Sequence, residues 1–264
     1  MNDTIKIALS KVPEVTLGFW VIKIIATTLG ETGGDALTMS VFHADAHAQN
    51  GGYLIGTGIF LVVFIAAVAA QIVANTFNPW NYWIAIVAST TVGTTMADFA
   101  DRSLGIGYAG GSAILLALLA LALATWRLSE GSVSVNTVST PRVEAFYWVT
   151  ILFSQTLGTA LGDWMADTNA LGFGEGALVF AAAIAVVAML YYASNVSHVL
   201  LFWIAFILTR PLGATLGDLL DKPHALGGLA LSRVYATIVL VVSMLALIIV
   251  LPQRAGAHPT YADN

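Results

Sequence analysis

Residues 19–35 read Phe19-Trp20-Val21-Ile22-Lys23-Ile24-Ile25-Ala26-Thr27-Thr28-Leu29-Gly30-Glu31-Thr32-Gly33-Gly34-Asp35. Reduced to a skeleton, this is an aromatic residue and Trp, a spacer to Gly30, a small residue at Gly34, and then an acid. The same skeleton returns three times with no residue inserted or lost. The copies are Tyr82-Trp83 with Gly93, Ala97 and Asp98; Tyr147-Trp148 with Gly158, Gly162 and Asp163; and Phe202-Trp203 with Gly213, Gly217 and Asp218. Each copy lies in an apolar run. Two small residues one helical turn apart let helix backbones approach closely, so helix packing accounts for the glycines. Packing alone does not require an acid at the same place in every copy.

Composition narrows the class. The 264 residues are 58% hydrophobic and 9% charged, against roughly 25% charged in soluble domains. That marks a polytopic membrane protein. The net charge is −5 with no basic patch, which argues against nucleic acid as a partner. Cysteine is absent, so there is neither a disulfide framework nor a thiolate metal site. Residues 1–12 lack the apolar stretch and small-residue cleavage site of a secretory signal, so the first span is expected to insert the chain.

A helix needs about 20 apolar residues to cross a bilayer. By that measure the fold class is all-α, with eight transmembrane helices near 14–38, 53–76, 80–100, 108–127, 143–167, 174–193, 197–220 and 229–251. Pro13 suits the first turn of the first helix. Odd-numbered helices carry the motif and even-numbered ones are plain Ala, Leu, Ile and Val. The unit is therefore a helical hairpin, used four times in one membrane domain of 1–264, over about 14–76, 80–127, 143–193 and 197–251. A two-span unit returns the chain to its starting side, so the four motif helices run parallel. The segment 129–140 joins the two halves. Lys6, Lys11, Arg127, Arg142 and Arg254 lie on the side of the N-terminus, against Arg102, Lys222 and Arg233 on the other. That bias places both termini in the cytoplasm. The motif acids then lie toward the outer face, with Asp45, Asp101, Asp167 and Asp221 beyond them.

The acids extend inward as a polar stripe. Thr28, Glu31 and Asp35 share a helix face by their spacing, as do Thr91, Thr94 and Asp98, and Thr156, Thr159 and Asp163. The fourth copy interrupts the series with Pro211 and Ala214 before Asp218. Such a stripe on a membrane helix faces the bundle interior or a water-filled path. Carboxylate and hydroxyl oxygens form a hard ligand set suited to Mg²⁺, Ca²⁺ or Mn²⁺. The metal candidates are Glu31, Asp35, Asp98, Asp163 and Asp218, and the threonines would line the path. Lys23 and Arg210 lie deep in their spans and need counter-charges; they form fixed salt bridges to these acids, or act as built-in counter-ions of an acidic site. Arg233, near the outer mouth, reads as structural. His43, Asp45 and His47 could form a metal-capture element in the first outer loop, although a solvated loop explains them as simply. The four Trp residues fit an interface belt or packing between repeats. No Gly-x-Ser-x-Gly elbow and no His-Glu-x-x-His is present, so an enzyme is not expected.

The repeated Leu-Gly-x-x-x-Gly-Asp segments, Leu29-Gly30 through Asp35, Leu157-Gly158 through Asp163 and Leu212-Gly213 through Asp218, resemble a bacterial family of multi-pass membrane-anchored proteins. That resemblance implies topology. Glu31-Thr32-Gly33-Gly34-Asp35 is also similar to the Glu-x-Gly-Asp-(Lys or Arg)-Thr motif of cation exporters, with one extra residue and no basic residue after the Asp. The expected function is transport of a divalent cation, Mn²⁺ foremost and export in direction. The cation is the substrate, and no further cofactor is implied. Membrane lipid and the metal ion are the expected partners, and a homo-oligomer is compatible. A membrane scaffold or regulatory subunit with a structural polar seam is the alternative, and its sign would be motif acids paired with Lys23, Arg210 and Arg233.

Overall fold

The computed structural model describes residues 5–43, 51–168 and 172–261. Its body consists of α1 (Leu17–Asp35), α2 (Gly52–Val73), α3 (Pro79–Asp98), α4 (Tyr108–Glu130), α5 (Pro141–Asp163), α6 (Gly172–Ala193), α7 (His198–Asp221) and α8 (Arg233–Val250). The starts follow local chemistry. The Thr16 side chain accepts from the Phe19 amide, Asn78 from the Trp80 and Asn81 amides, and Thr140 from the Val143 amide. Each satisfies amides that the first helical turn leaves unpaired. Pro79 and Pro141 follow at the first helical position, where a missing N–H costs nothing. Three motif helices change pitch at the motif acid. Directly after Asp35, Asp98 and Asp163 the chain continues as π-helical turns at Ala36–Val41, Phe99–Ser103 and Trp164–Thr168. The fourth stays α-helical through Asp218 to Asp221.

The four motif helices form a closed inner ring, α1 on α3, α3 on α5, α5 on α7 and α7 back on α1. The plain helices lie outside it, and the repeat unit read from the sequence differs from the unit of packing. The hairpin of motif helix and plain helix is not the packing unit. Instead α2 packs chiefly on α3, α4 on α5, α6 on α7, and α8 closes the circle on α1. Each plain helix thus covers the motif helix of the following repeat, and the last covers the first.

Five helices, α2, α4, α6, α7 and α8, are long and apolar enough to cross a membrane. Their outward side chains include Val62, Ile65, Leu121, Val239 and Ile249, all exposed. A belt of this kind belongs in lipid rather than in water. The chain is accordingly a membrane protein with several spans. The helices α1, α3 and α5 fall short in apolar content because their Thr, Gly and acidic residues are turned into the ring, where neighbouring helices shield them.

The fold class is all-α as expected, with one addition at the chain ends. Residues Ile5–Pro13 form a strand, β1, paired antiparallel with β2 (Ala255–Tyr261), with Ile5 opposite Tyr261 and Leu9 opposite Ala257. Pro13 ends this strand instead of opening α1. The signal was present: Ile5, Ile7 and Leu9 alternate with Lys6, Ala8 and Ser10, a period of two that favours a strand. The inter-half segment docks on it through a single 3₁₀ turn, Val135–Thr137. The Lys11 amide donates to the Val138 carbonyl at 2.7 Å, and Ser10 Oγ to the Val135 carbonyl at 2.7 Å. Lys11 Nζ meets Glu144 Oε1 at 2.6 Å. The strands β1 and β2 and the mid-chain linker therefore meet at one end of the bundle.

Candidate functional axis

Residues four apart stack on one face of a helix. On each inner helix five such positions turn into the ring, and together they build five layers along its axis. The first holds Phe19, Tyr82, Tyr147 and Phe202. The second holds Lys23, Ile86, Ile151 and Phe206, and the third Thr27, Thr90, Gln155 and Arg210. The fourth holds Glu31, Thr94, Thr159 and Ala214. The fifth is the four motif acids, Asp35, Asp98, Asp163 and Asp218. Apart from the partly buried Phe202, every one of these side chains is buried.

The glycine skeleton sets the ring diameter. A Cβ on Gly30 would lie 2.0 Å from Thr90 Oγ1, and one on Gly93 would lie 3.0 Å from the Gln155 backbone. On Gly158 it would meet Arg210 Cγ at 2.3 Å, and on Gly213 Thr27 Oγ1 at 2.2 Å. The first motif glycine of each helix therefore receives the third-layer residue of the next helix. One turn on, Gly34 faces Thr94, Gly162 faces Ala214, and Gly217 faces Glu31. The same contact is repeated round the circle, which is the packing role expected of small residues in lipid.

The first layer is an aromatic plug. Tyr82 and Tyr147 share a hydroxyl–hydroxyl hydrogen bond of 2.7 Å. Trp83 Nε1 donates to Gln253 Oε1 at 3.0 Å, and Trp203 Nε1 to the Val133 carbonyl at 2.9 Å. Trp83, Trp148 and Trp203 are buried while Trp20 is half-buried, so packing between repeats is the main role of this set. Tyr82→Phe is expected to lower stability by about 1 kcal/mol, the worth of one buried hydrogen bond. Chemical denaturation in detergent measures it.

Arg210 occupies the axis. Its Nη2 donates to Glu31 Oε2 at 2.9 Å and to the Thr94 and Thr159 hydroxyls at 2.5 Å each. A nitrogen carried on α7 that touches α1, α3 and α5 at once must lie at the centre of the ring. Thr94 Oγ1 also donates to Glu31 Oε2 at 3.3 Å. Arg210 therefore satisfies every polar group of the fourth layer, whose remaining member is Ala214.

Beyond it the acids converge unequally. One carboxylate oxygen each of Glu31, Asp35 and Asp218 lie within 4.8 Å of one another, all three residues being at most 3% exposed. Asp98 and Asp163 are as deeply buried but stand outside this trio. A counter-ion of Asp35 and Asp218 in the fifth layer is Lys222, whose Nζ lies 2.5 Å from Asp35 Oδ2 and 3.0 Å from Asp218 Oδ1. The sequence reading had placed Lys222 only in the outer charge tally. Its position four residues after Asp218 on the same helix was the available signal. Arg233 Nε meets Asp221 Oδ2 at 3.2 Å, the structural role expected of it. Asp221 is buried in that pair rather than standing in outer solvent.

The threonines divide. Thr94 and Thr159 reach Arg210. Thr28, Thr91 and Thr156 donate to carbonyls of their own helices, those of Ile24, Val87 and Leu152, at 3.0, 2.9 and 3.0 Å. Their hydroxyls are engaged by local backbone, as threonine commonly is within helices. Lys23 departs from the expected salt bridge. Among the described residues it has no acidic partner, and its Nζ stands 4.2 Å from the Phe206 ring centroid. His43 is exposed at φ 51, while Asp45 and His47 lie outside the described residues. Gln155, which no stripe of acids and hydroxyls singled out, stands in the third layer. Aligning the four copies on their Trp residues would have placed it beside Thr27, Thr90 and Arg210.

One family model, described as Repeat of Unknown Function (DUF347), matches the chain four times, over residues 18–77, 81–132, 146–197 and 201–253. Neither the curated proteins nor the solved structures contain a match to the chain. The four matches fall on the four repeats, each starting close to its motif Trp and running through the plain helix that follows, and together they cover most of the chain. The chain belongs to the DUF347 repeat family.

Proposed function

We propose that this protein is a multi-pass transporter of divalent metal cations, with all eight helices spanning the membrane and both termini in the cytoplasm. The inner membrane of a bacterium is its proposed site, and Mn²⁺ export the proposed cellular task. The observation that supports the reading best is the convergence of Glu31, Asp35 and Asp218 on the axis of a closed ring of helices. Three carboxylates in so small a buried space need positive charge. Lys222 and Arg210 now supply it. An internal ammonium that holds two carboxylates can give way to a divalent ion, which accepts oxygen ligands at shorter range. In this reading the structure is the closed form, with Lys222 standing where the cation binds. Arg210 seals the axis one layer deeper.

A specific observation favours the second reading, a membrane scaffold or regulatory subunit. Glu31 is paired with Arg210 and Asp221 with Arg233, and every axial layer is buried. Flux separates the two. Purified protein in liposomes is tested for uptake of Mn²⁺, Mg²⁺ and Ca²⁺, alongside Asp35→Asn and Asp163→Asn. The expected outcome is metal flux that falls more than about tenfold in Asp35→Asn, because a charged metal ligand is lost. Asp163→Asn should also reduce flux, through the path. Absence of flux for every ion, or unchanged flux in both variants, defeats the transport reading and leaves the scaffold.

A further inference from the structure

On the outside of the bundle, α4 and α5 frame a groove of about 500 Å³. Leu121 and Ala122 of α4 line it with Ala145, Val149 and Phe153 of α5, and Arg142 stands at one end. Val149 is two residues from the axial Tyr147, about 200° round the helix, so this face points away from the ring. Leu121 is 62% and Val149 46% exposed. The one other polar side chain of the wall, Thr125, donates its hydroxyl to the Leu121 carbonyl at 2.7 Å, so the wall itself is apolar. On the far side α2 reaches α5 only lightly, with Phe64 against Trp148.

Size and charge say what covers it. From Arg142 to Phe153 helix α5 rises about 16 Å, close to one leaflet, half of a hydrocarbon core about 30 Å thick. Spread over that length, the volume gives a cross-section of about 30 Å², against about 80 Å² for a helix 10 Å across. So narrow a groove admits an alkyl chain and not a helix. At its polar end Arg142 Nε meets Glu130 Oε1 at 2.9 Å and Nη2 donates to Ser129 Oγ at 2.6 Å. These contacts fix the guanidinium and leave Nη1 without a partner among the described residues, on a side chain 72% exposed. Arg127 brings a second guanidinium to the same turn, its Nη1 4.0 Å from where a Cβ on Gly131 would lie. Glu144, two residues after Arg142, is spent on Lys11. Two arginines against Glu130 leave this end positive.

We propose that this groove is the site of one anionic phospholipid, with an acyl chain laid along α4 and α5 and its phosphate on Arg142 Nη1. Guanidinium donors suit phosphate oxygens. The chain gains packing against the wall but no hydrophobic transfer, because the bilayer it leaves is equally apolar. Headgroup charge therefore decides which lipid is held. The site is independent of metal transport: it lies on the outer face of α5, and its test reads lipid retention rather than flux.

The test is native mass spectrometry of the full chain, released from an uncharged detergent after incubation with equal amounts of dioleoylphosphatidylglycerol and dioleoylphosphatidylcholine. One phosphatidylglycerol is expected to be retained about fivefold more often than phosphatidylcholine, the preference that one arginine near a headgroup supplies. Arg142→Gln is expected to bring the two lipids to parity. Ala145→Trp, which fills the groove, is expected to remove retention of both. Both positions are exposed, so neither change disturbs the core, and unfolding midpoints check it. Arg254→Gln, a basic residue outside the groove, is expected to keep the preference. Equal retention of the two lipids by the unaltered chain overturns the site, as does a preference that survives Arg142→Gln or a folded Ala145→Trp. A dimer in the same spectra that Ala145→Trp dissolves also overturns it, because the groove then seats a second copy of the chain.

Discussion

Gly213→Ala is expected to cost the protein about 3 kcal/mol in a detergent unfolding titration, while Gly33→Ala is neutral or slightly stabilising. The two glycines lie in equivalent apolar helices, and both substitutions add one methyl group. The difference is what that methyl meets. At Gly213 it would lie 2.2 Å from Thr27 Oγ1, 2.5 Å from Thr27 Cβ and 2.8 Å from the Thr27 carbonyl carbon. A hydroxyl can rotate away; a backbone carbon cannot. Relief therefore requires α7 to move off α1, and because the ring is closed that shift propagates to the contacts of α5 and α3. At Gly33 the nearest atom is Thr237 Cγ2 at 3.8 Å, ordinary contact distance, and alanine has the better helix propensity. Equal effects at the two sites would show that close approach of inner helices does not hold the ring together.

Arg210→Met is expected to lower stability by about 3–5 kcal/mol, and adding Glu31→Gln should recover most of it. Removing the guanidinium leaves the Glu31 carboxylate, 3% exposed, with Thr94 as its only remaining donor in the fourth layer. Amidation of Glu31 removes the stranded charge, and the amide oxygen can still accept from Thr94. A double-mutant cycle measures the coupling. Arg210→Lys is no conservative replacement, because the shorter lysine side chain does not carry its nitrogen to the position of Nη2, where α1, α3 and α5 are all touched. If the double variant is as unstable as Arg210→Met alone, the pair is not the unit that holds the fourth layer. The same variants bear on the transport proposal: a charge-neutral axis that still moved metal would exclude Arg210 as the seal.

The repeat was legible because membrane packing leaves a regular trace in sequence. Helix–helix approach in lipid needs small residues at fixed spacing, so the four copies kept Gly30, Gly93, Gly158 and Gly213 in register with their Trp residues. Helix lengths followed from apolar runs, and α1 through α8 lie within a few residues of the positions read from them. The pairing of Arg210 with an acid was also legible, since a buried guanidinium has few alternatives. The strand Ile5–Pro13 was legible in its alternation, but its partner was not, since Ala255–Tyr261 carries no comparable pattern and lies at the other end of the chain.

The sequence by itself determined how many helices there are, which of them carry the polar residues, and where two backbones must touch. It could not say which plain helix covers which motif helix, because the apolar surfaces of α2, α4, α6 and α8 are chemically alike and packing between them is decided by the closure of the ring. It could not rank the acids, because four residues in equivalent positions differ only in what surrounds them. Lys222 folds back between Asp35 and Asp218 where α7 stays α-helical. The other three motif helices pass into π turns at the same point. Nor could it show that Lys23 has no acidic partner among the described residues: it lies two turns before Glu31, and Arg210 stands between them. These distinctions are set by distances of a few ångströms across the axis, and only the assembled ring has an axis.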